Sequence, residues 1–240
     1  MTGICSGKVL TLDLKAASKV VKEENERVAK IIGINKAART TCIKPEGTAS
    51  LILGCSSGIH AWHGNYYIRR IRVGKNEAIY NYLNLKHPEL IEDDYFKPHL
   101  QAVISIPQKA PHGSILRSED VVDMLKRIKN FSTEWVRPGH SSGQNRHNVS
   151  ATVSVKEDEW GKVGSWMWNN RKFYNGLAVL PHDGGSYIQA PFEDCDEETY
   201  IKMMESLTGV DLSQISEEED NTNLKGELAC SGGVCNITEL

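Results

Sequence analysis

Apolar and polar residues follow one another along this chain in two rhythms, one helical and one alternating. Across residues 13–32, Leu14, Ala17, Val20, Val21, Val28 and Ile31 or Ile32 recur among Lys, Glu and Asn. That spacing predicts an amphipathic helix, with Gly33 placed to close it. Residues 40–43 form a short β-type run, followed by a Pro-Glu-Gly turn at 45–47. A strand carrying Arg69, Arg70 and Arg72 is predicted over 66–73, and a second over 101–106, stopped by Pro107. Ser118 is a suitable N-cap for a helix whose apolar face is Val121, Val122, Met124, Leu125 and Ile128, with Glu119 and Asp120 in its first turn. Residues 148–155 alternate, with Val149, Ala151, Val153 and Val155 on one side. A helix over 157–170 turns Trp160, Val163 and Met167 to a core, 177–180 reads as a short buried strand, and 196–207 as a helix closed near Gly209. Strands alternating with helices predict the α/β class.

The rhythm fades after Leu212. Residues 213–240 carry Glu217, Glu218, Glu219, Asp220, Glu227 and Glu239 against one base, Lys225, and few large apolar residues. Such a stretch buries too little surface to order itself. The expected organisation is one domain over 1–212 and a mobile acidic tail over 213–240. Over the whole chain 28 Lys and Arg face 31 Asp and Glu, a net charge of −3. That balance argues against direct nucleic-acid binding. No run of apolar residues is long enough for a membrane span, and the first residues lack the pattern of a signal peptide. Six cysteines spread over 240 residues are no disulfide scaffold, so a reducing cytoplasm is expected.

Three segments could carry chemistry. In Lys44-Pro45-Glu46-Gly47-Thr48-Ala49-Ser50 a Pro turn, a Gly and two hydroxyls follow a β-type run. Successive backbone N–H groups there could point at one anion, with Thr48 and Ser50 adding donors. The Gly-Lys-Ser/Thr ending of a P-loop is missing, and an ordinary strand–turn connection is the alternative. Gly54-Cys55-Ser56-Ser57-Gly58-Ile59-His60 is a small-residue loop that permits close backbone approach. His60 and His63 lack evident thiolate or carboxylate co-ligands, so no metal site is expected. In Cys230-Ser231-Gly232-Gly233-Val234-Cys235 a flexible Gly-Gly lets the two sulfurs meet. Seventeen residues from Ser213 to Cys230 span about 20–25 Å as a flexible coil. A dithiol on such a tether could enter a buried site and swing out to a reductant; incidental thiols or half a zinc site are the alternatives. Arg69, Arg70 and Arg72 could meet phosphate or form a solvated face, and acids around Cys195 disfavour its thiolate.

These segments resemble, in order, the C-terminal part of ribonucleotide reductase catalytic chains, and among them the adenosylcobalamin-dependent class. The resemblance is carried by the run from Arg39 through Lys44-Pro45-Glu46-Gly47-Thr48-Ala49-Ser50 to Leu51 and by Ser56-Ser57-Gly58-Ile59-His60. Tyr67-Ile68-Arg69-Arg70, His147-Asn148-Val149-Ser150, Leu180-Pro181-His182-Asp183-Gly184-Gly185, Gln189-Ala190-Pro191-Phe192 and the terminal cysteine pair continue it. It implies the C-terminal portion of a ten-stranded α/β barrel. It implies that Pro45, Glu46, Gly47, Thr48, Ala49 and Ser50 hold the phosphates of a ribonucleotide substrate. It also implies that Cys230 and Cys235 re-reduce an active-site disulfide and are renewed by a thioredoxin-like donor. Adenosylcobalamin is the implied cofactor, with no residue here identified as its ligand. The family's Asn-x-Cys-x-Glu radical site is absent: no cysteine has Asn two before it and Glu two after. The expected protein is therefore a partial reductase, inactive without a missing N-terminal portion. A nucleotide-binding or redox-sensing module derived from the same fold is the alternative.

Overall fold

The computed structural model describes residues 1–182 and 187–216, and of Thr48 and Leu51 the backbone alone. The tail pair Cys230 and Cys235 and the motif residues Asp183, Gly184 and Gly185 lie outside the described residues. In chain order the elements are α1 (Leu14–Ile32), α2 (Gly47–Ile52), β1 (Tyr66–Gly74), α3 (Ala78–Lys86), β2 (Ile91–Asp93) and β3 (Gln101–Lys109). There follow α4 (Val121–Phe131), β4 (Thr152–Val155), α5 (Trp160–Asn170), β5 (Ala178–Pro181), β6 (Phe192–Asp194) and α6 (Glu197–Leu207). The class is mixed α/β. Two compact units are formed, Met1–Trp62 with Pro111–His182, and His63–Ala110 with the described part of Asp183–Leu240. No helix among the described residues is long and apolar enough to cross a membrane.

The first unit is built on α4. Val121, Leu125, Ile128 and Phe131, spaced one turn apart, are almost fully buried against Ile43, Ile59, Val153 and Val163. Each such side chain contributes about 1.5–3 kcal/mol by leaving water. The cap is Asp120, whose Oδ1 accepts the Val122 N–H at 2.7 Å, and not Ser118 as the sequence suggested. Ser118 belongs to the preceding turn, which delivers Glu119 to Arg127 on α4. Those two form a bidentate pair at 2.6 and 2.7 Å with both side chains largely buried. β4 and β5 run parallel, Thr152 opposite Ala178, and Ile43 bridges Val149 in the same sense. The alternation is realised: Val149, Ala151, Val153 and Val155 are buried. Of residues 40–43 only Ile43 makes a bridge, and β5 is half-buried at most, since β4 pairs it on one side.

Helix α1 spans its predicted length, with Asp13 accepting the Ala16 N–H and Gly33 left-handed at φ 73°. Its buried ridge differs from the apolar stripe. Leu14, Ser18 and Ala29 face inward, while Val20, Ile31 and Ile32 are 63, 69 and 60% exposed. Ser18 Oγ donates to the Trp135 carbonyl at 3.0 Å, and Lys22 Nζ reaches the His140 carbonyl at 3.0 Å. A π-helical turn, Ser132–Val136, supplies the Trp135 carbonyl, which also accepts the Thr41 hydroxyl at 2.8 Å. Apolar burial of Leu14 and Ala29 and the hydrogen bonds of Ser18 and Lys22 together set that helix face. Trp160 misses the core as well, at 42% exposure, because Val163 and Met167 fill the inward side of α5.

The second unit is an antiparallel sheet in the order β2-β3-β1-β6, with Tyr66 opposite Lys109 and Gly74 opposite Gln101. α3 and neighbouring residues pack Tyr82, Leu83 and Leu90 against Val73, Ala102 and Ile104. Pro107 does not stop β3, which continues to Lys109. β2 pairs β3 only from Ala102 to Ile104, so the N–H that Pro107 lacks falls where β2 makes no ladder. Asp196 caps α6 by accepting the Thr199 N–H at 2.8 Å.

Candidate functional site

The segment 44–50 is not a plain turn. Helix α2 begins at Gly47, with Glu46 at its N-terminal boundary accepting the Ser50 N–H at 2.9 Å. The N–H groups of Gly47, Thr48 and Ala49 thus have no carbonyl one turn back to bond. Those three amides are the donors the segment presents. Ser50 is buried, and its hydroxyl donates to the Gly47 carbonyl at 2.9 Å, inside the helix.

Residues 56–60 brace this segment from behind. The Glu46 N–H donates to Ser57 Oγ at 2.9 Å. Gly58 is left-handed at φ 58°, and a Cβ there would stand 3.0 Å from the Lys44 carbonyl oxygen and 3.1 Å from Pro45 Cα. The close approach that the small residues permit is therefore made to the chain itself. His60 Nδ1 lies 3.1 Å from the Ser57 carbonyl, and its Nε2 accepts the Thr152 N–H at 2.9 Å. An amide can only donate and a carbonyl only accept, so the ring is neutral with its proton on Nδ1. Burial holds its pKa below the usual histidine value, outweighing the Ser57 hydrogen bond. His63 falls in the other unit, stacked on Phe192 with Nε2 3.1 Å from Asp194. Neither ring is part of a metal-binding group, and none is found among the described residues.

The arginines of β1 form neither a phosphate site nor a solvated face. Arg69 is buried, donates to the Pro191 carbonyl at 3.1 Å and covers the Phe192 ring at 4.4 Å. Arg70 holds the Ala190 carbonyl and Glu193, and Arg72 holds the Gln189 carbonyl and Asp94. Together they fasten residues 189–193 along β1, which places the Gln189-Ala190-Pro191-Phe192 motif.

Cys5, Cys55 and Cys195 are poor nucleophiles. Cys5 is fully buried, its thiol donates to the Ile59 carbonyl, and burial pushes its pKa up to about 11. Burial and then Glu46 raise Cys55; burial and then Asp196, Asp194 and Glu193 raise Cys195, as its acidic surroundings predicted. Sequence reasoning missed Ser57 and His60 as braces, and their only signal was proximity to the Pro-Glu-Gly segment.

No family model matches the chain. The adenosylcobalamin-dependent ribonucleoside-triphosphate reductase of Lactobacillus delbrueckii subsp. bulgaricus is 27% identical over 227 residues, covering 91% of this chain and 29% of its own length. The Lactobacillus helveticus enzyme of that name is 26% identical, covering 92% of this chain and 28% of its own length. The crystal structure of a B12-dependent, class II ribonucleotide reductase superposes with a TM-score of 0.67 at 24% identity, over 82% of this chain and 27% of that one. The chain spans less than a third of the curated relatives it matches. It is homologous to a portion of the adenosylcobalamin-dependent, class II ribonucleotide reductases and shares their fold over that portion.

Proposed function

We propose that the chain is the C-terminal portion of a reductase that converts ribonucleotides to 2′-deoxyribonucleotides in a reducing cytoplasm. The observation that carries this is a match running over 91% of the chain to reductases of that one kind. In this reading Pro45–Ser50 receives the substrate phosphates on the Gly47, Thr48 and Ala49 amides, whose N–H groups, in the first turn of a helix, suit an anion. Parallel β4 and β5, and the parallel bridge from Ile43 to Val149, belong to the ten-stranded barrel. Cys230 and Cys235 act as the shuttle. Their two thiols reduce the active-site disulfide, passing on two electrons and two protons and closing into a disulfide, which a thioredoxin-like donor reopens.

Adenosylcobalamin supplies the radical in the relatives' class, and the described residues do not fit that role. Cys5 is sealed and hydrogen-bonded, and no cysteine of the sequence stands in Asn-x-Cys-x-Glu. In this reading the radical cysteine is supplied by the missing N-terminal reductase portion. Co-expression with a chain carrying Asn-x-Cys-x-Glu in a barrel half is the test. Restored ribonucleotide reduction supports the proposal; a stable complex without activity overturns it. In the active assembly, Cys230→Ser or Cys235→Ser should abolish turnover with thioredoxin and spare it with a small dithiol. Equal loss with both reductants removes the shuttle role.

A further inference from the structure

We infer that His60 is a positioning residue for the segment 44–50, acting through Ser57. The inference rests on the phosphate-binding reading for its functional meaning, and on geometry for the linkage itself. Four contacts form one chain from the sheet to the first turn of α2. The Thr152 N–H, at the start of β4, donates to His60 Nε2 at 2.9 Å. His60 in turn binds the Ser57 carbonyl twice, through Nδ1 at 3.1 Å and through its own backbone N–H at 3.0 Å. Ser57 Oγ then accepts the Glu46 N–H at 2.9 Å, one residue before the amides of Gly47, Thr48 and Ala49. Gly58, between the two, lies against Lys44 and Pro45 too closely for a side chain. A short helix cannot fix its own orientation, because few of its backbone groups are paired internally. This one takes its orientation from β4 by way of the imidazole.

The geometry also says why histidine stands here. The position needs an acceptor on one side and a donor about one ring width away, both in an uncharged group. Leucine offers neither. Glutamine offers both on one amide.

The test uses the full chain and two readouts. The first is the nitrogen–proton correlation spectrum at Gly47, Thr48 and Ala49. His60→Leu should displace these three signals and those of residues 57–60 while leaving β5 and α5 in place, and His60→Gln should restore them. The second is affinity for inorganic tripolyphosphate, which His60→Leu should weaken about tenfold and His60→Gln should largely recover. Unmoved signals at Gly47–Ala49 in His60→Leu overturn the inference, as does a displacement spread evenly through the unit. Should the wild-type chain not bind tripolyphosphate, the phosphate reading fails, and the spectrum still decides the linkage. If His60→Leu does not fold, His60→Asn, which keeps a donor for Ser57 and loses the acceptor for Thr152, is judged by the same spectrum.

Discussion

The arginines of α4 and of β1 are held differently. In the unit of Met1–Trp62 and Pro111–His182, Arg127 sits on the apolar face of α4 and meets a single carboxylate, Glu119. In the unit of His63–Ala110 and the described part of Asp183–Leu240, three arginines on one strand bind backbone carbonyls of one neighbouring segment. The first arrangement leaves a full charge stranded if its partner is lost. The second spreads its interactions over several carbonyls and the carboxylates Glu193 and Asp94, so the loss of any one should cost less. Buried charge thus marks where a unit is brittle, and shared carbonyl contacts mark where it is compliant.

The largest expected effect is on the brittle pair. Glu119→Ala leaves the Arg127 guanidinium buried without a counter-charge and should cost about 3–5 kcal/mol, read from urea unfolding. A loss below 1 kcal/mol would dissolve the contrast between the units. In the second unit, Asp94→Asn keeps an acceptor for the Phe96 and Lys97 N–H groups, but it removes the charge opposite Arg72 and puts an NH2 donor where Oδ2 accepts the Arg72 Nε–H. It should cost about 1–3 kcal/mol by the same measurement. Gly58→Ala forces a side chain into a left-handed position 3.0 Å from a carbonyl oxygen, and should cost about 1–2 kcal/mol.

Acid should separate the units more gently. His60 is held neutral in the fold, so the unfolded chain takes its proton first. Its contribution is complete above the ordinary value of 6.5 and is lost as pH falls below it, toward the depressed folded value. Asp94 works in a lower window. Burial raises its pKa, but the Lys97 N–H, Arg72 and the Phe96 N–H outweigh burial and hold it below 3.8. Its stabilisation is present above 3.8 and disappears as pH falls through the folded value. Stability of the first unit should therefore decline from about pH 6.5 downward, and His60→Gln should flatten that decline. An unchanged slope in His60→Gln would assign the decline to other groups.

Long periodic segments were legible in the sequence. The ends of α1, the core face of α4 and the alternation of Val149 to Val155 follow from local spacing alone. β2 and β6, three residues each, carry no such spacing and exist because β3 and β1 offer them a ladder. α2 was hidden because Pro45 and Gly47 read locally as a turn, whereas Ser57 and Gly58 hold the segment in place for a helix to start. The inward face of α1 was misread for a related reason, since Ser18 and Lys22 are chosen by carbonyls more than a hundred residues away. The candidate phosphate segment stands out by its Pro turn, its Gly and its two hydroxyls, and then by motif order, whereas the contacts that make His60 its support join residues far apart in the chain.

Gln189 adopts a left-handed backbone at φ 56°, accepts the Tyr95 N–H, donates to the Asp93 carbonyl and lends its own carbonyl to Arg72. Its side-chain amide is thus used as both donor and acceptor. Deamidation to glutamate would turn the donor into a second acceptor facing the Asp93 carbonyl, with no proton between the two oxygens. A single hydrolytic event, adding one oxygen and releasing ammonia, would undo the turn that Arg72 holds. Loss of that one amide should therefore register as a local loosening of residues 93–95 and 187–189.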